Sequence, residues 1–155
     1  MEKMKKFEEL TMDEKSKRLK KKPKRWRAER GEMFWYVNEI GMIFRVTECS
    51  TRSDDYFYNS GNYFQTKEQA EEYKKKLILQ QEYKDWCAFD CDWHDENQIK
   101  YFSYYSHKSN RIYFELNRLC KKQGVVYSES PLRIQEFIDK IGEEDFKKYI
   151  LEVEE

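Results

Sequence analysis

One strand-to-helix junction is written twice in this chain, and that repetition constrains the fold more than any other feature. Gly61-Asn62-Tyr63-Phe64-Gln65-Thr66 runs into Lys67 to Leu77, and Gly124-Val125-Val126-Tyr127-Ser128-Glu129-Ser130 runs into Pro131 to Ile141. Helix starts and apolar positions correspond at an offset of 64 residues: Thr66 with Ser130, Ala70 with Ile134, Tyr73 with Phe137, Leu77 with Ile141. A single hairpin with one helix can hardly bury its own apolar face, so the pattern predicts two copies of one small α+β unit.

The segments around each junction fill in those units. Met33–Val37 and Met42–Thr47 are aromatic and β-branched runs separated by Asn38-Glu39-Ile40-Gly41, which predicts a β-hairpin. Ser50 to Asp55 is polar and reads as a loop, after which either Tyr56-Phe57-Tyr58 or Asn62-Tyr63-Phe64 is expected to supply a third strand. Thr66 with Gln69 is a capping-box pattern opening a helix that is expected to run to about Ala88. Lys100–Tyr105 and Arg111–Leu116 predict a second hairpin, and Val125-Val126-Tyr127 a short strand. Ser130 before Pro131 marks the next helix start, Gly142 its end, and Glu143 to Val153 a last helix. The expected fold class is therefore α+β: two repeated antiparallel hairpin-plus-helix units behind a basic N-terminal arm. The corresponding boundaries are 1–25 for the arm, 26–92 for the first module, 93–99 for an acidic linker and 100–155 for the second module with its C-terminal helix.

Charge is distributed unevenly. The net charge is zero, yet residues 1–31 hold thirteen Lys and Arg against six Asp and Glu, a local +7 that leaves −7 on the remainder. High charge would favour disorder were the apolar part sparse, but twelve Tyr, ten Phe and four Trp bring enough buriable surface for an aromatic core. No apolar leader precedes the cysteines at 49, 87, 91 and 120, and no apolar stretch is long enough to span a bilayer, so free thiols in a reducing cytoplasm are expected, with no membrane partner.

Nine cations lie within residues 15–27, and Lys17, Arg18, Lys20, Lys21, Lys22, Lys24, Arg25 and Arg27 could neutralise phosphates while Trp26 stacks on an exposed base. The plainer reading is a solvated arm that docks on the chain's own acidic part. Cys87, Cys91 and His94 would share one face if the helix continued through them, but a structural zinc site needs four ligands and no tight Cys-x-x-Cys pair is present, so no metal is assigned. Asp90, Asp92, Asp95 and Glu96 beside His94 match no calcium loop and read as a solvated linker. With no phosphate-binding glycine loop, nucleophile elbow or Cys/His catalytic signature, neither an enzyme nor a cofactor is expected. Hairpin aromatics exceed what one sheet face needs, and Trp35, Tyr56, Tyr58 and Tyr104 are candidates to contact a partner.

The run from Trp26-Arg27-Ala28-Glu29-Arg30-Gly31-Glu32 through Phe34-Trp35-Tyr36-Val37 to Gly61-Asn62-Tyr63-Phe64-Gln65-Thr66-Lys67-Glu68-Gln69-Ala70-Glu71 resembles a module of small accessory proteins of phages and prophages of Gram-positive bacteria. Gly124-Val125-Val126-Tyr127-Ser128, Ile138-Asp139-Lys140-Ile141-Gly142-Glu143 and Lys147-Lys148-Tyr149 are similar to the C-terminal module of the same proteins. The resemblance spans roughly residues 26–152, leaves out the basic arm and carries no catalytic residue across. It implies origin more than mechanism; together with the small size, the lack of a catalytic signature and the acidic body, it leads to the expectation of a non-enzymatic accessory protein that binds a host protein or protein–nucleic-acid complex, with inhibition of a bacterial defence system, as by anti-CRISPR proteins, its sharpest form. The alternative expectation is a protein that binds DNA or RNA through the basic arm.

Overall fold

The structure, a computed structural model, describes residues 25–153. The fold is α+β, with two antiparallel two-stranded sheets and four helices. The elements are β1 (Met33–Val37), β2 (Ile43–Thr47), α1 (Arg52–Ser60), α2 (Lys67–Trp86), β3 (Lys100–Ser106), β4 (Arg111–Asn117), α3 (Pro131–Ile141) and α4 (Glu143–Asp145), which passes into a π-helical turn at Phe146–Ile150. Among the described residues the chain divides into two compact units, one of 25–36 and 45–65, the other of 37–44 and 66–153.

Both predicted junctions form, and they form alike. Phe64 makes an antiparallel bridge to Trp35 of the first hairpin, with the reciprocal N–H to C=O bonds at 2.8 and 2.9 Å, and Thr66 caps α2 two residues later. Ser128 makes the same bridge to Tyr101 of the second hairpin, both bonds at 2.8 Å, and Ser130 caps α3 two residues later. Each hairpin thus gains one residue pair of a third strand, and no more, because the chain must turn into its helix. The short strand expected at Val125-Val126-Tyr127 does not form: those residues carry no described strand pairing, and the single bridge falls at Ser128, one residue beyond them.

Thr66 and Gln69 form the full capping box, each side chain bonding the other's backbone N–H, whereas Ser130 accepts from Leu132 with Pro131 placed where no amide is needed. Correspondence of the two helices weakens beyond their first turns. Ala70 and Ile134 are both fully buried, but Phe137 is buried where Tyr73 is only partly covered, and Leu77 is exposed.

The segment 50–60 departs from expectation. Instead of a loop followed by an aromatic strand, Arg52–Ser60 is a helix opened by a capping box in which Thr51 Oγ1 and the Asp54 carboxylate serve each other's backbone. Gly61 ends it at φ 84°, a left-handed conformation that a side chain would strain. Tyr56-Phe57-Tyr58, rich in strand-favouring aromatics, follows helical spacing: Phe57 and Tyr58 turn towards the core of the first unit and Tyr56 turns outwards. That core is a stack of rings. Phe34 lies 3.8 Å from Tyr63, near parallel, with Tyr58 edge-on to Tyr63 and Trp26 tilted against it at 5.7 Å.

The core of the second unit gathers Tyr83 and Cys87 from the end of α2, Ile134, Phe137 and Ile138 from α3, and Phe146 from the π-helical turn. Burying side chains of this size contributes about 1.5–3 kcal/mol each. α2 stops at Trp86, short of Ala88, and the final helix stops at Ile150, where Leu151 N–H bonds back to Phe146 O and Glu152 takes a left-handed φ of 52°.

Candidate interaction surfaces

Three of the arm residues singled out for nucleic acid fall within the described region, and all three are engaged by the first unit. Arg27 forms a forked ion pair with Glu48, Nη2 to Oε1 at 3.2 Å and Nε to Oε2 at 3.3 Å, and reaches Asp55 at 2.8 Å. Trp26 packs on the ring core. Arg25 lays its guanidinium 4.1 Å over the Tyr58 ring, while its carbonyl accepts from the Tyr58 hydroxyl at 3.0 Å. Lys17, Arg18, Lys20, Lys21, Lys22 and Lys24 lie outside the described residues.

Glu48 organises this corner, and nothing local in the sequence announces it. Its side chain is 1% exposed, and an ionised carboxylate at such a site must be matched by donors. Tyr63 Oη donates at 2.7 Å and Ser50 N–H at 2.8 Å beside the Arg27 fork. Burial pushes the Glu48 carboxyl up, but the bonds from Arg27, Tyr63 and Ser50 together hold it below the ordinary carboxylate range. Asp54 follows the same logic: burial raises it, and donation from Thr51 and from Cys49 N–H brings it down. Burial and the neighbouring Glu48 push the Tyr63 phenol up, so it stays a hydrogen donor.

The aromatics expected to contact a partner have different fates. Tyr56 is 70% exposed. Tyr58 is enclosed by Arg25 and Arg27, and Trp35 is partly covered with Arg45 above its ring. Tyr104, on β3, is half-exposed and stacks at 5.7 Å on Tyr113 of β4.

Cys87, Cys91 and His94 do not come together as a helical face, because α2 ends one residue before Cys87. Cys87 is buried beside Tyr83, Cys91 is intermediate, and the His94 side chain is fully exposed. Among the described residues no group of three or more His, Cys, Asp and Glu is placed to hold a metal ion. Burial pushes the Cys87 and Cys91 thiols up, away from the reactive thiolate.

The acidic segment between α2 and β3 is an ordered loop rather than a plain tether. Asp92 Oδ1 accepts from His94 N–H and Asp95 Oδ1 from Asn97 N–H, both at 2.8 Å, while Gln98 spans the loop from Asp92 N–H to Asp90 O. Its base rests on Lys100, which is fully buried and donates to Gln98 O at 2.9 Å and Arg118 O at 2.8 Å, with the Trp93 ring alongside. Arg118 adds a bond to Glu96 O. Backbone groups absorb these cations, so the carboxylates of Asp90, Asp92, Asp95 and Glu96 stand exposed. Asp92 faces only His94, and among the described residues none of the four meets a Lys or Arg within ion-pair distance. Acids elsewhere in this unit are commonly paired, as Glu72 with Lys148, Glu82 with Lys140 and Asp145 with Lys75.

No family model matches the chain, and no curated protein or solved structure matches it. Among the described residues no helix is long and apolar enough to cross a membrane.

Proposed function

We propose that this chain is a binding protein rather than an enzyme, an accessory protein of phage or prophage type that occupies a basic, nucleic-acid-binding groove of a host macromolecule. Inhibition of a nucleic-acid-guided defence complex, in the manner of anti-CRISPR proteins, is the sharpest form of that role. The observation that supports it is the loop from Asp90 to Glu96, where four carboxylates that meet no Lys or Arg among the described residues are displayed on a backbone braced by Lys100, Gln98 and Arg118. Unpaired, fixed negative charge steers association with a positive surface and meets it without an ordering cost. Internal ion pairs leave Glu71, Glu72 and Glu82 of α2 less to offer.

Direct nucleic-acid binding through the basic arm is the competing role. Arg25, Trp26 and Arg27 already serve the fold, which leaves residues 1–24 to carry it. An electrophoretic mobility shift with single-stranded and duplex DNA and RNA, on the full chain and on a chain lacking residues 1–24, separates the two. The proposal expects no shift at physiological salt with either protein. A shift that needs the arm and weakens steeply with salt would replace the proposal with the competing role.

A further inference from the structure

β4 is an unguarded sheet edge. Its neighbour β3 pairs with β4 on one side and with Ser128 on the other, whereas among the described residues no strand covers the outer side of β4. Seven residues pair in unbroken register from Arg111↔Ser106 to Asn117↔Lys100. Natural edges of this length are usually blunted by charged side chains, a proline or a bulge; β4 has no proline and no bulge, and its only charges are Arg111 and Glu115. It instead exposes apolar groups on both faces: Tyr113 (39%) stacked on Tyr104, and Phe114 (39%) with Leu116 (53%) on the opposite face.

Charge placement selects an occupant. Arg111 and Glu115 lie two residues either side of Tyr113 and project on the same face. Antiparallel pairing of β4 with a second β4 about Tyr113 sets Arg111 opposite Glu115 of the second copy, twice, and Ile112 opposite Phe114, twice, with Tyr113 opposite itself. Shifting the register so that Phe114 faces itself places Arg111 against Asn117 and Tyr113 against Glu115, and no charges match. Among the described residues Arg111 has no ion pair, and Glu115 has only an exposed contact to Lys122 at 3.5 Å. Opposite charges directly across strands stabilise a pair and like charges oppose it, so this register is favoured over its neighbours.

We infer that the protein forms a two-fold homodimer in which the two β4 strands, centred on Tyr113, join the hairpins into one four-stranded antiparallel sheet. A closed isologous contact of this kind buries both β4 edges against each other, so neither can propagate the pairing. Sedimentation equilibrium of the full chain at low and at physiological salt tests it. The expected species has twice the 19.3 kDa chain mass. Arg111→Glu and Glu115→Arg, both at exposed positions, are each expected to weaken association about tenfold or more through like-charge pairs, and the double variant R111E/E115R to restore it. Circular dichroism confirms that each variant keeps the fold. A monomer at all accessible concentrations overturns the inference, as does a dimer indifferent to the single variants or one that the double variant fails to rescue. A monomer that captures a different chain along β4 overturns it equally.

Discussion

Glu48 and Tyr63 provide a closed test of what holds the first unit together. Tyr63 Oη donates to Glu48 Oε2 at 2.7 Å and accepts from Ala28 N–H at 3.2 Å, and both residues are nearly inaccessible. Glu48→Ala removes a bond to a charged acceptor, worth about 1.5–3 kcal/mol, and leaves a buried phenolic hydrogen without a partner, so a loss of about 3 kcal/mol is expected. Tyr63→Phe strands Ala28 N–H and deprives Glu48 of one donor, which should cost about 2 kcal/mol. The double variant removes both ends of the same bond and should lose about 3.5 kcal/mol rather than 5, a coupling of about 1.5 kcal/mol. Urea unfolding followed by tryptophan fluorescence, in which Trp26 reports on the Tyr63 ring it packs against, supplies the three differences.

Protonation adds a second axis to the same cycle. Because the folded-state Glu48 carboxyl is held below its unfolded value, its stabilisation is present above the ordinary carboxylate range and is lost as pH falls through the lower, folded value. The gap between wild type and Glu48→Ala should therefore be full at pH 7 and shrink at pH 3. Additive losses, or a gap that does not narrow in acid, would refute the account of Glu48 as an ionised, donor-satisfied hub.

The two junctions should be equivalent in energy: Thr66→Ala and Ser130→Ala are each expected to cost about 1 kcal/mol in chemical denaturation. Lys100→Ala should cost about 2–3 kcal/mol, since two part-buried carbonyls lose a charged donor, and should raise amide exchange across residues 90–98. Among the described residues the buried Tyr83 hydroxyl makes only loose approaches to Ser103 and Cys87, in a cleft of about 280 Å³ that it lines with Ser103 and Val126, so Tyr83→Phe should leave the melting temperature little changed or raised.

Local chemistry was legible where it decides structure locally. Capping at Thr66 and Ser130, the proline at the first turn of α3 and the turn residues of both hairpins each act within a few positions, and each predicted element formed there. α1 opens on a capping box at Thr51 and Asp54, which the reading of Ser50 to Asp55 as a polar loop passed over, and the aromatic run Tyr56-Phe57-Tyr58 pointed to a strand because aromatics favour strands in general. The tertiary environment overrode that propensity.

Long-range matching of buried polar groups was not legible. Glu48 joins residues from 27 to 63, and Lys100 links the acidic loop to Arg118, so neither role follows from spacing. For the same reason Arg27 and Trp26 read as nucleic-acid contacts, since nothing in their spacing announces Glu48 and Tyr63 as their neighbours. The acidic loop read as a linker, since composition records its charge but not the hydrogen bonds that brace it.

Affinity capture from a bacterial host lysate, after nuclease treatment, is the most direct measurement of the central claim. The wild-type chain is compared with a D90N/D92N/D95N/E96Q variant, in which Asn at 92 and 95 retains the carbonyl that accepts the loop's backbone bonds while the charge is removed. The account predicts that wild type retains a host protein in near-stoichiometric amount, that added nucleic acid displaces it, and that the neutralised loop fails to hold it. Equal recovery on both proteins, or no stoichiometric protein on either, would contradict it.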